Sequence, residues 1–129
     1  MENPVKASLI KFDSYQGNDT YIESLFYDLD DLKIIVVAES KKRIEVIFHH
    51  PIGFRCLDEG DLLEFWKNSE VTNNWLLQIE DSGWYAQESK RSGFISKNNE
   101  VNEYLVKGQN DCINILDTNK PKIRLLKDE

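Results

Sequence analysis

A mainly β, α+β architecture is expected for this chain, either a curved antiparallel sheet or a β-sandwich carrying one or two short helices. Three features predict it. Short runs rich in β-branched and aromatic residues recur between polar turn signals. These runs occupy the first half and the last third, and helical spacing is confined to the middle, which is not the alternation of a parallel α/β fold. The three Trp, five Tyr and six Phe supply large burial per residue for one core. With 129 residues, the chain suits a single domain spanning 1–129.

The elements follow in chain order. Residues 5–12 alternate weakly. Residues 21–29 place Tyr21, Leu25, Tyr27 and Leu29 on one parity, and Asp30 and Asp31 then turn the chain. LKIIVVAE (32–39) is a continuous apolar run, the pattern of a strand covered on both faces. Ser40, Lys41 and Lys42 form a polar turn, after which 43–50 sets Ile44, Val46 and Phe48 on one face, so a hairpin ended by Pro51 is expected. In 61–66 the apolar residues recur at helical spacing, with Asp61 as cap and Glu64 three residues on; Asn68 and Ser69 keep this helix short. Residues 75–80 return to strand. A second helix is predicted over 84–91, closed by Gly93 as a left-handed cap. Strands at 103–107, 112–116 and 123–126, separated by turn signals, suggest an antiparallel meander.

Composition excludes several function classes. A net charge of −7 argues against direct nucleic-acid binding, which needs a dense Lys/Arg face. No run of about 18 apolar residues is present, so no membrane-spanning helix is expected. The first twelve residues lack the basic stretch, apolar core and cleavage site of a secretory signal, so a cytoplasmic protein is expected. Cys56 and Cys112 sit among apolar neighbours in no metal-ligand spacing and read as buried thiols.

No catalytic constellation is visible. His49 and His50 are the only histidines, and strand neighbours point to opposite faces, so they do not chelate one metal. There is no GxSxG motif and no glycine-rich phosphate loop. No cofactor, metal or catalytic residue is assigned, and the chain is read as a non-enzyme. The carboxylates form three groups. Asp28, Asp30 and Asp31 fit a turn; Asp58, Glu59, Asp61 and Glu64 fit a capped, solvated segment; Glu80 and Asp81 are the third. Acidic clusters keep a protein soluble, and beside aromatics they also make a recognition face for a basic partner. Trp66, Trp75 and Trp84 are read as core or core-edge residues, with Trp84 and Tyr85 also standing at the lip of an element as possible anchors.

Three segments, GFRCLDEGDLLEFW (53–66), GWYAQESKRSGF (83–94) and EYLVKGQNDCINIL (103–116), together resemble small bacterial immunity proteins of contact-dependent growth inhibition and related polymorphic toxin systems. The resemblance covers roughly the second half of the chain and carries over no functional residue. It implies a cytosolic protein that binds and neutralises the C-terminal toxin domain of an effector, often a basic nuclease, in a one-to-one complex. On this reading the interface comprises Asp58, Glu59, Asp61 and Glu64 with Trp84 and Tyr85 as anchors, and Asp28, Asp30 and Asp31 in reserve. Such interfaces bury roughly 1,600 Å². Two other classes fit the residues: an adaptor or structural protein, phage- or secretion-related, and a small-ligand binder or enzyme with a sheet-lined pocket.

Overall fold

Strand alternation sorts the chain into two stacked antiparallel sheets, seen in a computed structural model that describes residues 4–94 and 100–126. Residues 1–3, part of the stretch read against a secretory signal, lie outside the described residues. The strands are β1 (Lys6–Leu9), β2 (Thr20–Tyr27), β3 (Asp31–Ala38), β4 (Arg43–His49), β5 (Gly53–Asp58), β6 (Leu76–Asp81), β7 (Asn102–Lys107), β8 (Asp111–Asp117) and β9 (Lys122–Leu125). Sheet A has the order β1-β6-β7-β8-β5, and sheet B the order β2-β3-β4-β9. The fold is therefore mainly β, a sandwich with two short helices, α1 (Ser69–Asn73) and α2 (Trp84–Ser89).

The core lies between the sheets. Leu32, Ile34, Val36, Ile44, Val46 and Phe48 from sheet B meet Leu76, Tyr104, Val106, Ile113 and Ile115 from sheet A. The expected β3–β4 hairpin is present, with Ile44, Val46 and Phe48 facing inward as the alternation requires. Its turn is a 3-10 turn over Glu39–Lys41, with Lys41 at φ 63°. A second apolar layer covers the other face of sheet A: Val5, Leu62, Phe65 and Val71 pack on Leu77, Ile79, Leu105 and Cys112. The strands buried on both faces are thus β7 and β8, not β3, whose outward Lys33 is exposed and Ile35 half-buried. β3 reads as doubly covered because β-branched residues also suit a half-solvated sheet face.

Other expectations are corrected. The last three strands do not form a meander: β7 and β8 pair, but β9 crosses to sheet B and pairs with β4. An Asx turn, in which Asn119 N–H donates to Asp117 Oδ1 (2.9 Å), precedes Pro121 and redirects the chain. Residues 61–66 are not an α-helix. They form successive i→i+3 turns, with Phe65 N–H donating to Leu62 O (2.9 Å) and Trp66 N–H to Leu63 O (3.2 Å). The cap of the preceding 3-10 turn is Asp58, not Asp61. Asn68 does not interrupt a helix but starts one, its Oδ1 accepting from Glu70 and Val71 at the head of α1. The second predicted helix is present as α2, and Gly93 beyond it is not left-handed.

Candidate functional site

The acidic segment is built by two buried residues that bracket its middle. Leu62 and Phe65 are sealed in the layer over sheet A. Between them, Leu63 and Glu64 have nowhere to go but outward, and Leu63 is 68% exposed. Upstream, β5 delivers Asp58 opposite Asp111 on the β5–β8 ladder, and both carboxylates are exposed. Asp58 Oδ1 accepts the Gly60 N–H (2.8 Å), and Glu59 N–H is tied to Asn110 O (3.1 Å). Asp58, Glu59, Asp61 and Glu64 are therefore all exposed along one short segment, an acidic rim in which Leu63 also faces solvent.

Beside Leu63 the surface opens into a groove of about 520 Å³, whose walls include Glu59, Leu63, Trp66, Lys107 and Gln109. Trp66 is fixed at both ends. Its Nε1 donates to Glu59 O (2.8 Å), and the Lys107 ammonium sits 5.0 Å from the ring centroid. The same ammonium donates to Val71 O in the middle of α1. Burial holds the Lys107 pKa below the usual lysine range, partly offset by Cys112 and Glu59.

α2 adjoins the rim through Gln87, whose Nε2 donates to Glu64 Oε2 (3.4 Å). The structure thus brings Trp84 and Tyr85 onto the same side of sheet A as Glu64. Both are half-buried. Trp84 Nε1 donates to Glu88 Oε1 (3.2 Å), and the Arg55 guanidinium lies 5.1 Å from its ring centroid. Tyr85 packs edge-to-face on Phe94 at 6.1 Å. Beneath them, Arg55 Nε donates to Asn114 Oδ1 (3.1 Å), and Asn114 Nδ2 to Glu103 Oε2 (3.0 Å). Arg55 Nη2 is sealed among these groups with no hydrogen-bond partner among the described residues.

Asp28, Asp30 and Asp31 lie elsewhere, in the β2–β3 turn at the end of sheet B where β4 passes into β5. Asp28 Oδ1 accepts from both Asp30 N–H (2.9 Å) and Asp31 N–H (2.8 Å). These bonds hold its carboxyl below the usual range. Asp31 Oδ1 meets His49 Nδ1 at 2.8 Å. The trio organises its own turn, and Asp58 sits at the far end of β5, roughly 17 Å along the strand.

Cys112 is buried as expected, its thiol pushed up to about 11 by burial. Cys56 is exposed instead: its register opposite Ile113 puts it on the inner face, but it stands on the edge strand β5 at the margin of the sandwich; its thiol is also raised, chiefly by desolvation. Among the described residues no group of three or more His, Cys, Asp or Glu side chains could hold a metal ion, and no helix is long and apolar enough to cross a membrane. Leu63 and the Trp66 groove are the parts of the site that the sequence did not single out. The doublet Leu62-Leu63 was the available signal, since two adjacent leucines cannot both face one core. No protein-family model, curated protein or solved structure matches this chain.

Proposed function

We propose that this chain is an immunity protein, a non-enzymatic inhibitor that binds the C-terminal toxin domain of a contact-dependent growth inhibition effector one to one in the cytoplasm. The observation that supports it is the exposed acidic segment around Leu63, whose Glu59 and Leu63 line the Trp66 groove. A nuclease toxin is basic where it meets its polyanionic substrate, and a carboxylate rim competes for that surface. Opposite charges steer the encounter toward about 10⁸–10⁹ M⁻¹s⁻¹ at low salt. The groove and the half-buried Trp84 and Tyr85 add the apolar anchors that carry most interface energy.

The test is co-expression with the neighbouring open reading frame, followed by purification and toxicity assay. The expected result is a stoichiometric basic partner, toxic alone and harmless in the complex, whose association slows as salt rises. Recovery of this chain only as a homo-oligomer would sink the reading. It would favour the adaptor class, for which the exposed Tyr21 and Phe26 on the outer face of sheet B are the relevant observation.

A further inference from the structure

On the side of the molecule away from the acidic segment, the part of the outer face of sheet B beside β9 is rich in cations. Lys33, Lys122, Arg124 and His49 surround an open concavity of about 680 Å³, with Ile47 and Ile123 among its walls. The carboxylate within it, Glu45, is only 4% exposed and already engaged by Arg124 (2.6 Å) and Lys33 (3.9 Å). Three permanent cations therefore stand beside Glu45, which Arg124 and Lys33 already engage, and Asp31, which meets His49 at 2.8 Å, on a chain whose net charge is −7.

This face ends at β9, which pairs with β4 on one side and is the edge of sheet B on the other. Leu126 N–H donates to Arg43 O (2.8 Å). By strand alternation the backbone groups of Ile123 and Leu125 then point away from β4, toward the edge. The side chains alternate as well. Lys122 and Arg124 lie on the outer face; Ile123 and Leu125 lie on the inner face, and Leu125 is 44% exposed at the margin of the core.

We propose that β9 accepts an extended acidic segment of a partner protein as a fifth strand of sheet B, with acidic and apolar residues alternating along it. Backbone hydrogen bonds to Ile123 and Leu125 supply affinity, and the two faces read the side chains. Carboxylates on the outer face meet Lys122 and Arg124, while apolar residues on the inner face cover Leu125 and continue the core beyond Ile123. A short acidic strand suits this site better than a nucleic acid. The attraction is local, within a Debye length of about 8–10 Å, and a long polyanion would also meet the chain's negative surface. The inference does not rest on the immunity reading, because it uses a different face.

The test is NMR titration of the full chain with a short peptide of alternating glutamate and valine, beside a lysine–valine control. The glutamate peptide should bind about ten-fold tighter, with new hydrogen-exchange protection at the Ile123 and Leu125 amides. Lys122→Glu should remove the preference for glutamate. Leu125→Pro should abolish binding while leaving the fold intact, since the lost N–H points away from β4 and proline is tolerated on edge strands. Should Leu125→Pro unfold the chain, Lys122→Glu and the protection pattern decide. Three results would overturn the proposal: equal binding of the two peptides, shifts that map away from β9, and protection of Ile123 by self-association without peptide. Tighter binding of a single-stranded oligonucleotide at the same residues would also overturn it.

Discussion

The backbone N–H of Tyr85 donates to Glu103 Oε1 at 2.7 Å, tying the first turn of α2 to the middle of sheet A. Glu103 is 2% exposed, and Asn114 fills its other oxygen while Arg55 holds Asn114 in turn. Burial raises the Glu103 pKa, and the amide hydrogens of Tyr85 and Trp84, Asn114 and Arg55 oppose that rise. A raised carboxyl in a buried site invites a catalytic reading. Here its hydrogen bonds go to the fold itself, so Glu103 acts as a clamp that positions Trp84 and Tyr85 beside the acidic rim.

The clamp has no slack at Gly83. A Cβ there would lie 2.6 Å from Ile79 Cγ2 and 2.7 Å from Glu103 Oε1. Both neighbours are buried strand residues that cannot swing aside. Gly83→Ala should therefore destabilise by about 1–3 kcal/mol, the usual cost of forcing a methyl into a filled site. Urea unfolding should show a lower midpoint with an unchanged slope.

The raised Glu103 pKa has a definite sign. Between the ordinary carboxylate value of 4.5 and the higher folded value, the native state binds more protons than the unfolded chain. This group's contribution to stability is greatest at and below about pH 4.5 and declines as pH rises through that window. Glu103→Gln cannot ionise, so its stability relative to the parent should climb across the same interval. Parallel pH–stability curves for the two proteins would contradict the assignment.

Leu29 is held at φ 79° in the Asp28–Asp31 turn, with its side chain almost fully exposed. A left-handed leucine costs about 1–2 kcal/mol relative to an ordinary conformation, and little packing compensates an exposed side chain. Leu29→Gly removes that strain but adds unfolded-state entropy. A net gain of about 0.5–1 kcal/mol is expected, read as a higher Tm with the Asp28 hydrogen bonds retained.

The acidic rim makes a separable prediction. Asp61 and Glu64 are exposed; Glu64 accepts a long bond from the exposed Gln87 (3.4 Å), and the shorter bond of Asp58 to Gly60 is left untouched. The double variant Asp61→Lys, Glu64→Lys should keep stability within about 1 kcal/mol of the parent. Its association with a basic partner should slow at least about ten-fold at low salt and lose most of its salt dependence. Unchanged association kinetics would remove these carboxylates from the interface.

Strands whose pattern matches their burial were legible in the sequence, as in β3 and β4, where one parity is purely apolar. β5 was not, because GFRCLD mixes glycine, arginine and aspartate and becomes a strand only by pairing with β8. The crossing of β9 is equally tertiary, since IRLL suits either sheet. At the site, the carboxylates were legible as neighbours in sequence. The contact of Glu64 with Gln87 and the distance of Asp28 from Asp58 depend on how β5 pairs into sheet A and how α2 lies on it, which no local pattern encodes.

Asn68 shows how a residue that looks like a helix breaker makes a helix possible. Its Oδ1 accepts from Glu70 N–H (2.8 Å) and Val71 N–H (3.2 Å), and its Nδ2 donates to Val5 O (2.9 Å), joining the head of α1 to the start of β1. Asn is among the best N-caps because its short carbonyl reaches the orphan amides of the first turn. Loss of the cap alone costs about 0.5–2 kcal/mol, and Val5 O then also loses its donor, for about another 1 kcal/mol. Asn68→Ala should therefore destabilise by about 1.5–3 kcal/mol, whereas Asn68→Asp, which keeps the cap and loses only the bond to Val5, should cost about half as much. If the two substitutions proved equally costly in urea unfolding, the cap would not be what holds α1, and the stability of the Trp66 groove would have to come from Leu62 and Phe65 alone.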